Sequence, residues 1–137
     1  MSFNIEQMSK IRREFHRIAE PGWLEFQTTI RVIEYLKSFG YNDISYGKAI
    51  HSKRMGLPTE KNMRDYINSL SFKVDYDLTE ILEGYTGVVA KLDTGKEGST
   101  IAMRFDIDAN DIEETYDENH IPNKENFRSQ NNFAMHA

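Results

Sequence analysis

TGVVAKL at residues 86–92 and STIAMRFDI at residues 99–107, joined by DTGKEG at 93–98, read as a β-hairpin: two apolar, partly β-branched runs flank a cluster of turn residues. Side chains alternate along an extended chain, so Ile101, Met103, Phe105 and Ile107 share one face and Ala102, Arg104, Asp106 and Asp108 the other. Any polar chemistry of this unit belongs on the second face. Upstream, Ile5, Met8, Ile11, Phe15 and Ile18 recur at three- and four-residue steps and predict a helix with that face on a core. Asn4 is its expected N-cap, with Gln7 at capping-box spacing, and Pro21-Gly22 ends it.

A second stripe, Phe26, Ile30, Ile33, Leu36 and Phe39, predicts another helix with Gly40 as its left-handed C-cap. Residues 44–46 read as a short strand and 48–58 as a loop. Thr59 is placed to cap a third helix with Met63, Tyr66, Ile67 and Leu70 on its buried side, and Phe72, Val74 and Tyr76 alternate like a strand. From Ala109 onward neither period survives, and so long an irregular stretch predicts an incomplete domain. The expected fold is α/β: two or three helices plus a β-hairpin of a mixed sheet, with a long irregular carboxy-terminal segment.

The 137 residues suffice for one domain. With 17 basic against 22 acidic residues the net charge is −5, which disfavours attraction to a phosphate backbone, so nucleic acid is not an expected partner. No cysteine is present, which excludes disulfides and thiolate ligation within these residues. No stretch has signal-peptide or membrane-spanning character, and the expected location is the cytoplasm.

Asp106 and Asp108 lie two apart at a strand end, and carboxylates sharing a face repel unless a cation or donor is near. The plainer reading is a salt link from Arg104 and exposure to solvent. With Asn110 the run also begins like a calcium loop, but Asp111 replaces the required glycine and Asp117 the terminal glutamate. His16, His51, His120 and His136 have no zinc-site spacing, and His16 reads as a structural histidine beside the first helix's stripe. Lys48, Lys53 and Arg54 form a basic loop able to attract a carboxylate, although most such loops are simply solvated.

Read together, RREFHRIAEPGWLEFQT at 12–28, TGVVAKL at 86–92 and AMRFDIDA at 102–109 resemble the amidohydrolase branch of the zinc peptidases, which includes aminoacylases and hippurate hydrolases. SKRMGLP at 52–58 is similar to a stretch of its aminobenzoyl-glutamate subgroup. The resemblance implies that residues 1–137 are the incomplete amino-terminal part of a metallohydrolase catalytic domain. AMHA at 134–137 resembles the residues immediately before that branch's Cys-Gly-His-Asp run. By that resemblance the ligands for zinc or manganese lie further on, no catalytic residue falls within the chain, and the chain alone is inactive and binds no metal tightly.

In such enzymes a metal-bound water attacks the amide carbonyl of a small substrate. Asp108 matches the carboxylate that orients a metal-ligating histidine, while Asp106 and His136 flank the site. His16, Glu20 and Gly22, also part of the signature, are read as structural. Asn110-Asp111 departs from the Leu-Pro of relatives. A homologous partner subunit or a homodimer is implied as well. The alternative is a non-catalytic, truncated module that binds a partner subunit through uncovered apolar faces.

Overall fold

Helix α1, Ile5–Arg17, starts where the Asn4 side chain accepts the Gln7 N–H at 2.7 Å, the cap its sequence calls for. The structure is a computed structural model that describes residues 4–136, so Ala137, the last residue of the AMHA stretch, lies outside the described residues. The apolar stripe of α1 is less buried than its spacing predicts. Ile5 and Met8 are exposed, and the buried residue of the helix is His16. Its later turns seat it instead: Phe15 meets Tyr35 with ring centres 5.9 Å apart, and Glu14 pairs with Arg31 at 2.7 Å.

Helix α2, Phe26–Ser38, carries the core as expected, burying Phe26, Ile30 and Ile33. With Leu24 and Ile81 they form one apolar cluster. Gly40, at φ +89°, closes the helix: its N–H reaches Lys37 O and the Tyr41 N–H reaches Leu36 O, both at 3.0 Å. That pair is a Schellman cap, whose left-handed position costs glycine little.

Strands β1, Asp43–Tyr46, and β2, Val88–Lys91, pair antiparallel, with Ile44 opposite Ala90 and Tyr46 opposite Val88. Here the sequence reading is corrected. The chain is α/β as expected, but β2 takes β1 as its partner and not residues 99–107, and among the described residues these two strands form an antiparallel sheet. A strand is held by pairing together with burial of one face. Ile44, Tyr46 and Val88 all pack on the α2 cluster, whereas Ile101, Met103 and Phe105 are 75–82% exposed and gain no burial that a ladder could reinforce.

Helix α3, Glu60–Asn68, is capped by Thr59, whose hydroxyl accepts the Asn62 N–H at 3.2 Å, and it lays Met63, Tyr66 and Ile67 on the same cluster. Phe72, Val74 and Tyr76 pack there too, with the alternating burial expected of them but no strand ladder. Short helices α4, Thr79–Leu82, and α5, Ile121–Lys124, complete the elements. Among the described residues no helix is long and apolar enough to cross a membrane.

A 3₁₀ turn, Gly47–Ala49, links β1 to the basic loop. Gly47 sits at φ +65°, and a Cβ there would lie 3.0 Å from Glu80 Cβ and foul the carboxylate that accepts the Lys48 N–H at 2.8 Å. Gly47→Ala is expected to cost about 2 kcal/mol, from left-handed strain plus displacement of Glu80. Urea unfolding measures it, and a loss under about 0.5 kcal/mol, the usual scale of a surface change, would contradict the strain.

Candidate functional site

The corner between α1 and α2 gathers three stretches distant in sequence. The Ala109 N–H donates to Glu20 O at 2.7 Å, and Asn110 and Met135 exchange backbone hydrogen bonds of 3.0 and 3.1 Å. This short ladder sets Asp108 against the corner, its Oδ2 3.8 Å from where a Cβ on Gly22 would lie. His136 follows Met135 on the adjoining chain. Burial, and then neighbouring His16, push the His136 imidazole below its usual range, while Asp108 pulls the other way. Asp108 and His136 therefore share an electrostatic neighbourhood. Asp106 stands apart, exposed and paired with Arg104, which is the plainer arrangement weighed from the sequence.

Two buried carboxylates build the corner. Glu20, fully buried, accepts the Gln27 N–H at 3.1 Å, the Thr28 N–H at 2.8 Å and the Thr28 hydroxyl at 2.9 Å, so it caps α2 from a distance. The Tyr66 hydroxyl donates to it at 2.8 Å, tying in α3, and Asn131 Nδ2 donates to Tyr66 at 3.1 Å. Burial pushes the Glu20 carboxyl up to about 7 against the pull of these donors. Glu25, also buried, accepts from the Thr86 hydroxyl at 2.8 Å; burial raises its pKa, and Asp108 adds to the rise.

Glu114 holds the irregular segment. Its buried carboxylate meets His16 Nε2 at 2.9 Å and His120 Nε2 at 2.7 Å through one oxygen and accepts the Ser129 N–H at 2.6 Å through the other. Burial raises the Glu114 pKa, but Ser129, His16 and His120 outweigh it and hold the carboxyl below its usual range. Sequence reading missed this hub and the role of His120. A contact spanning 98 residues has no periodic signature, and Glu114 stands in an acidic run that looks solvated.

On the other side of the corner, Trp23 holds φ +66°, a strained left-handed backbone for so bulky a residue. Its indole N–H donates to Met55 O at 2.9 Å, and its ring lies 5.7 Å from that of His51. His51 Nε2 donates to Thr86 O and packs against Tyr85 at 5.9 Å, and the Arg54 guanidinium stacks 3.5 Å from the centre of the Tyr85 ring. The loop at 48–58 is thus anchored to the corner and not merely solvated. Among the described residues no group of three or more histidine and carboxylate side chains is arranged so that it could hold a metal ion; in the Glu114 hub the two imidazoles bond to the carboxylate itself.

No protein-family model matches the chain. It is 42% identical over 139 aligned residues to a Haemophilus influenzae homolog of the A-type subunit of p-aminobenzoyl-glutamate hydrolase, covering 100% of this chain and 33% of that protein. It is 39% identical to the A-type subunit of the Escherichia coli p-aminobenzoyl-glutamate hydrolase, over 96% of this chain and 31% of that one. It is also 39% identical to the indole-3-acetyl-aspartic acid hydrolase of Enterobacter agglomerans, over 97% and 31%. The chain spans about a third of the length of these curated relatives. The crystal structure of an aminobenzoyl-glutamate utilization protein from Klebsiella pneumoniae matches with a TM-score of 0.65 at 38% identity, over 77% of this chain and 28% of that one.

Proposed function

We propose, on the premise that this chain is a relative of the A-type subunits of aminobenzoyl-glutamate hydrolase, that it is the part of a metal-dependent amidohydrolase that builds one wall of the substrate site. The observation that carries this is the shared chemistry of relatives with different names. One name joins an aminobenzoyl group to glutamate, the other an indole-acetyl group to aspartic acid, and the chain matches both over nearly its whole length. The amide between an aromatic acyl group and an acidic amino acid is the bond proposed to be cleaved.

In this reading Asp108 and His136 are the side chains that flank the zinc or manganese centre, with Asp108 orienting a histidine that ligates the metal. The residues described here do not complete a metal site, and the chain alone is proposed to be inactive. Its own contribution is positional: Glu20 and Glu114 fix the ladder that carries Asp108 and His136. Two relatives are named as one type of subunit of a hydrolase, and a partner subunit is proposed for the protein in which this chain works. The exposed row Ile101, Met103 and Phe105 favours that reading as well.

Grafting these residues in place of the matching third of the Escherichia coli relative tests the proposal. The folded chimera is expected to release p-aminobenzoate from p-aminobenzoyl-glutamate, and Asp108→Ala within it to lower kcat/KM about 10- to 100-fold, the usual cost of losing a group that orients a metal ligand. A chimera that melts like its parent yet hydrolyses nothing would overturn it.

A further inference from the structure

Three consecutive residues make a seat for one guanidinium. Glu83 O accepts from Arg54 Nη1 at 3.0 Å, and the Tyr85 ring stacks on the guanidinium at 3.5 Å. Gly84, at φ +87°, leaves open the space where a Cβ would crowd that same Nη1 to 3.1 Å. Arg54 is only half-buried, and among the described residues no carboxylate pairs with it. The neighbouring Glu83 carboxylate is taken by Lys48 at 2.6 Å. A guanidinium stacked on one face and pinned at one nitrogen keeps its remaining N–H edge fixed, which is the geometry that grips a carboxylate through parallel hydrogen bonds. The cost of ordering the side chain has been met before any ligand arrives.

We propose that Arg54 determines specificity by binding the side-chain carboxylate of an N-acyl acidic amino acid whose aromatic acyl group lies along Trp23 and His51. The identity of the ligand rests on the function proposed above; the seat itself does not. The Trp23, His51 and Tyr85 rings follow one another at 5.7 and 5.9 Å, and the last carries the Arg54 guanidinium at 3.5 Å, so a continuous aromatic surface leads to the carboxylate seat. The strained backbone of Trp23, fixed by Met55 O beside Arg54, holds the far end of that aromatic surface in place.

Trp23 is the single tryptophan of the chain and reports occupancy directly. Its emission, excited at the red edge, is followed while the 137-residue chain is titrated with N-benzoyl-glutamate or with N-benzoyl-alanine, which lacks the side-chain carboxylate. N-benzoyl-glutamate is expected to bind saturably and about tenfold or more tightly than the alanine compound, a preference that Arg54→Ala abolishes. Arg54→Gln keeps a planar group able to donate to Glu83 O but loses the charge, and it is expected to show the same loss with an unchanged melting temperature. Equal affinity for the two probes, indifference to both substitutions, or no saturable signal overturns the inference. Because this is a binding measurement, a chimera that hydrolyses p-aminobenzoyl-glutamate with unaltered KM in the Arg54→Ala form removes the Arg54 role and leaves the hydrolase standing. Selective binding by this chain beside a folded but inert chimera does the reverse.

Discussion

Glu114→Ala is expected to release residues 109–136 from the rest of the chain and to lower stability by about 3–5 kcal/mol, the scale for removing one member of a buried charged network. The alanine leaves the Ser129 N–H and two imidazoles facing an apolar methyl group, all of them groups now served by the Glu114 carboxylate at 2.6 to 2.9 Å. Each buried donor left unpaired carries its own desolvation penalty. The other contacts of the segment with α1 and the corner are the Gln130 N–H on Arg17 O at 2.8 Å, Asn131 on Ala19 O, the Ala109 N–H on Glu20 O, the exposed pair of Arg13 with Glu125, and Phe127 against Arg13 and His16, and none of them satisfies the groups that Glu114 serves. Urea unfolding should show the loss, and limited proteolysis should move to the released segment. Glu114→Gln retains one acceptor oxygen and is expected to fall between wild type and alanine. An alanine variant within about 1 kcal/mol of wild type and cut at the same sites would show that the hub does not anchor the segment.

The same carboxylate sets a direction with pH. Its folded pKa lies below the usual 4.5, so the contribution of Glu114 is present above 4.5 and is lost as pH falls through the folded value. Because Asn110 pairs with Met135, loosening this segment also disturbs the ladder that seats Asp108 and His136. A residue that touches neither of them thereby governs their placement.

Local signals were legible in the sequence and long-range polar ones were not. The caps at Asn4, Thr59 and Gly40 each depend on a side chain or a φ angle within a few residues of a helix end, and they appear where residue type put them. The stripe of α2 was legible for the same reason, since its period is a property of one helix. The partner of β2 was not: TGVVAKL states that residues 86–92 favour an extended chain and is silent on which edge they join. Burial decided it, through Ile44 and Tyr46 on the α2 cluster. The corner signature marked His16, Glu20 and Gly22 as structural, and their contacts are a hub, a helix cap and a close approach to Asp108. Nothing periodic relates Glu114 to His16, or Arg54 to Tyr85, so each pairing became visible only in three dimensions.

Glu20→Gln is expected to change how stability depends on pH more than stability at any single pH. The Glu20 carboxyl titrates near 7 in the folded chain and near 4.5 once unfolded. Between those values the folded state holds a proton that the unfolded state has released, so stability falls as pH rises across the interval. Below 4.5 both states are protonated and above 7 both are ionised, so this group adds no slope there. At about 1.4 kcal/mol per pH unit the whole fall amounts to about 3 kcal/mol. Glu25, raised in the same direction, steepens the wild-type curve, while His136, lowered, opposes it. Subtracting the Glu20→Gln curve from that of wild type cancels both and isolates Glu20. The difference should decline from pH 4.5 to 7 and be level on either side, as read from urea unfolding at a series of pH values. A level difference throughout would mean that the Thr28, Gln27 and Tyr66 donors keep Glu20 ionised, and that its burial costs the fold nothing at neutral pH. The declining form gives the corner a built-in compromise: Glu20, whose carboxylate caps α2 and accepts from Tyr66 while its backbone oxygen accepts from Ala109, is held there at a cost in stability that grows toward neutral pH.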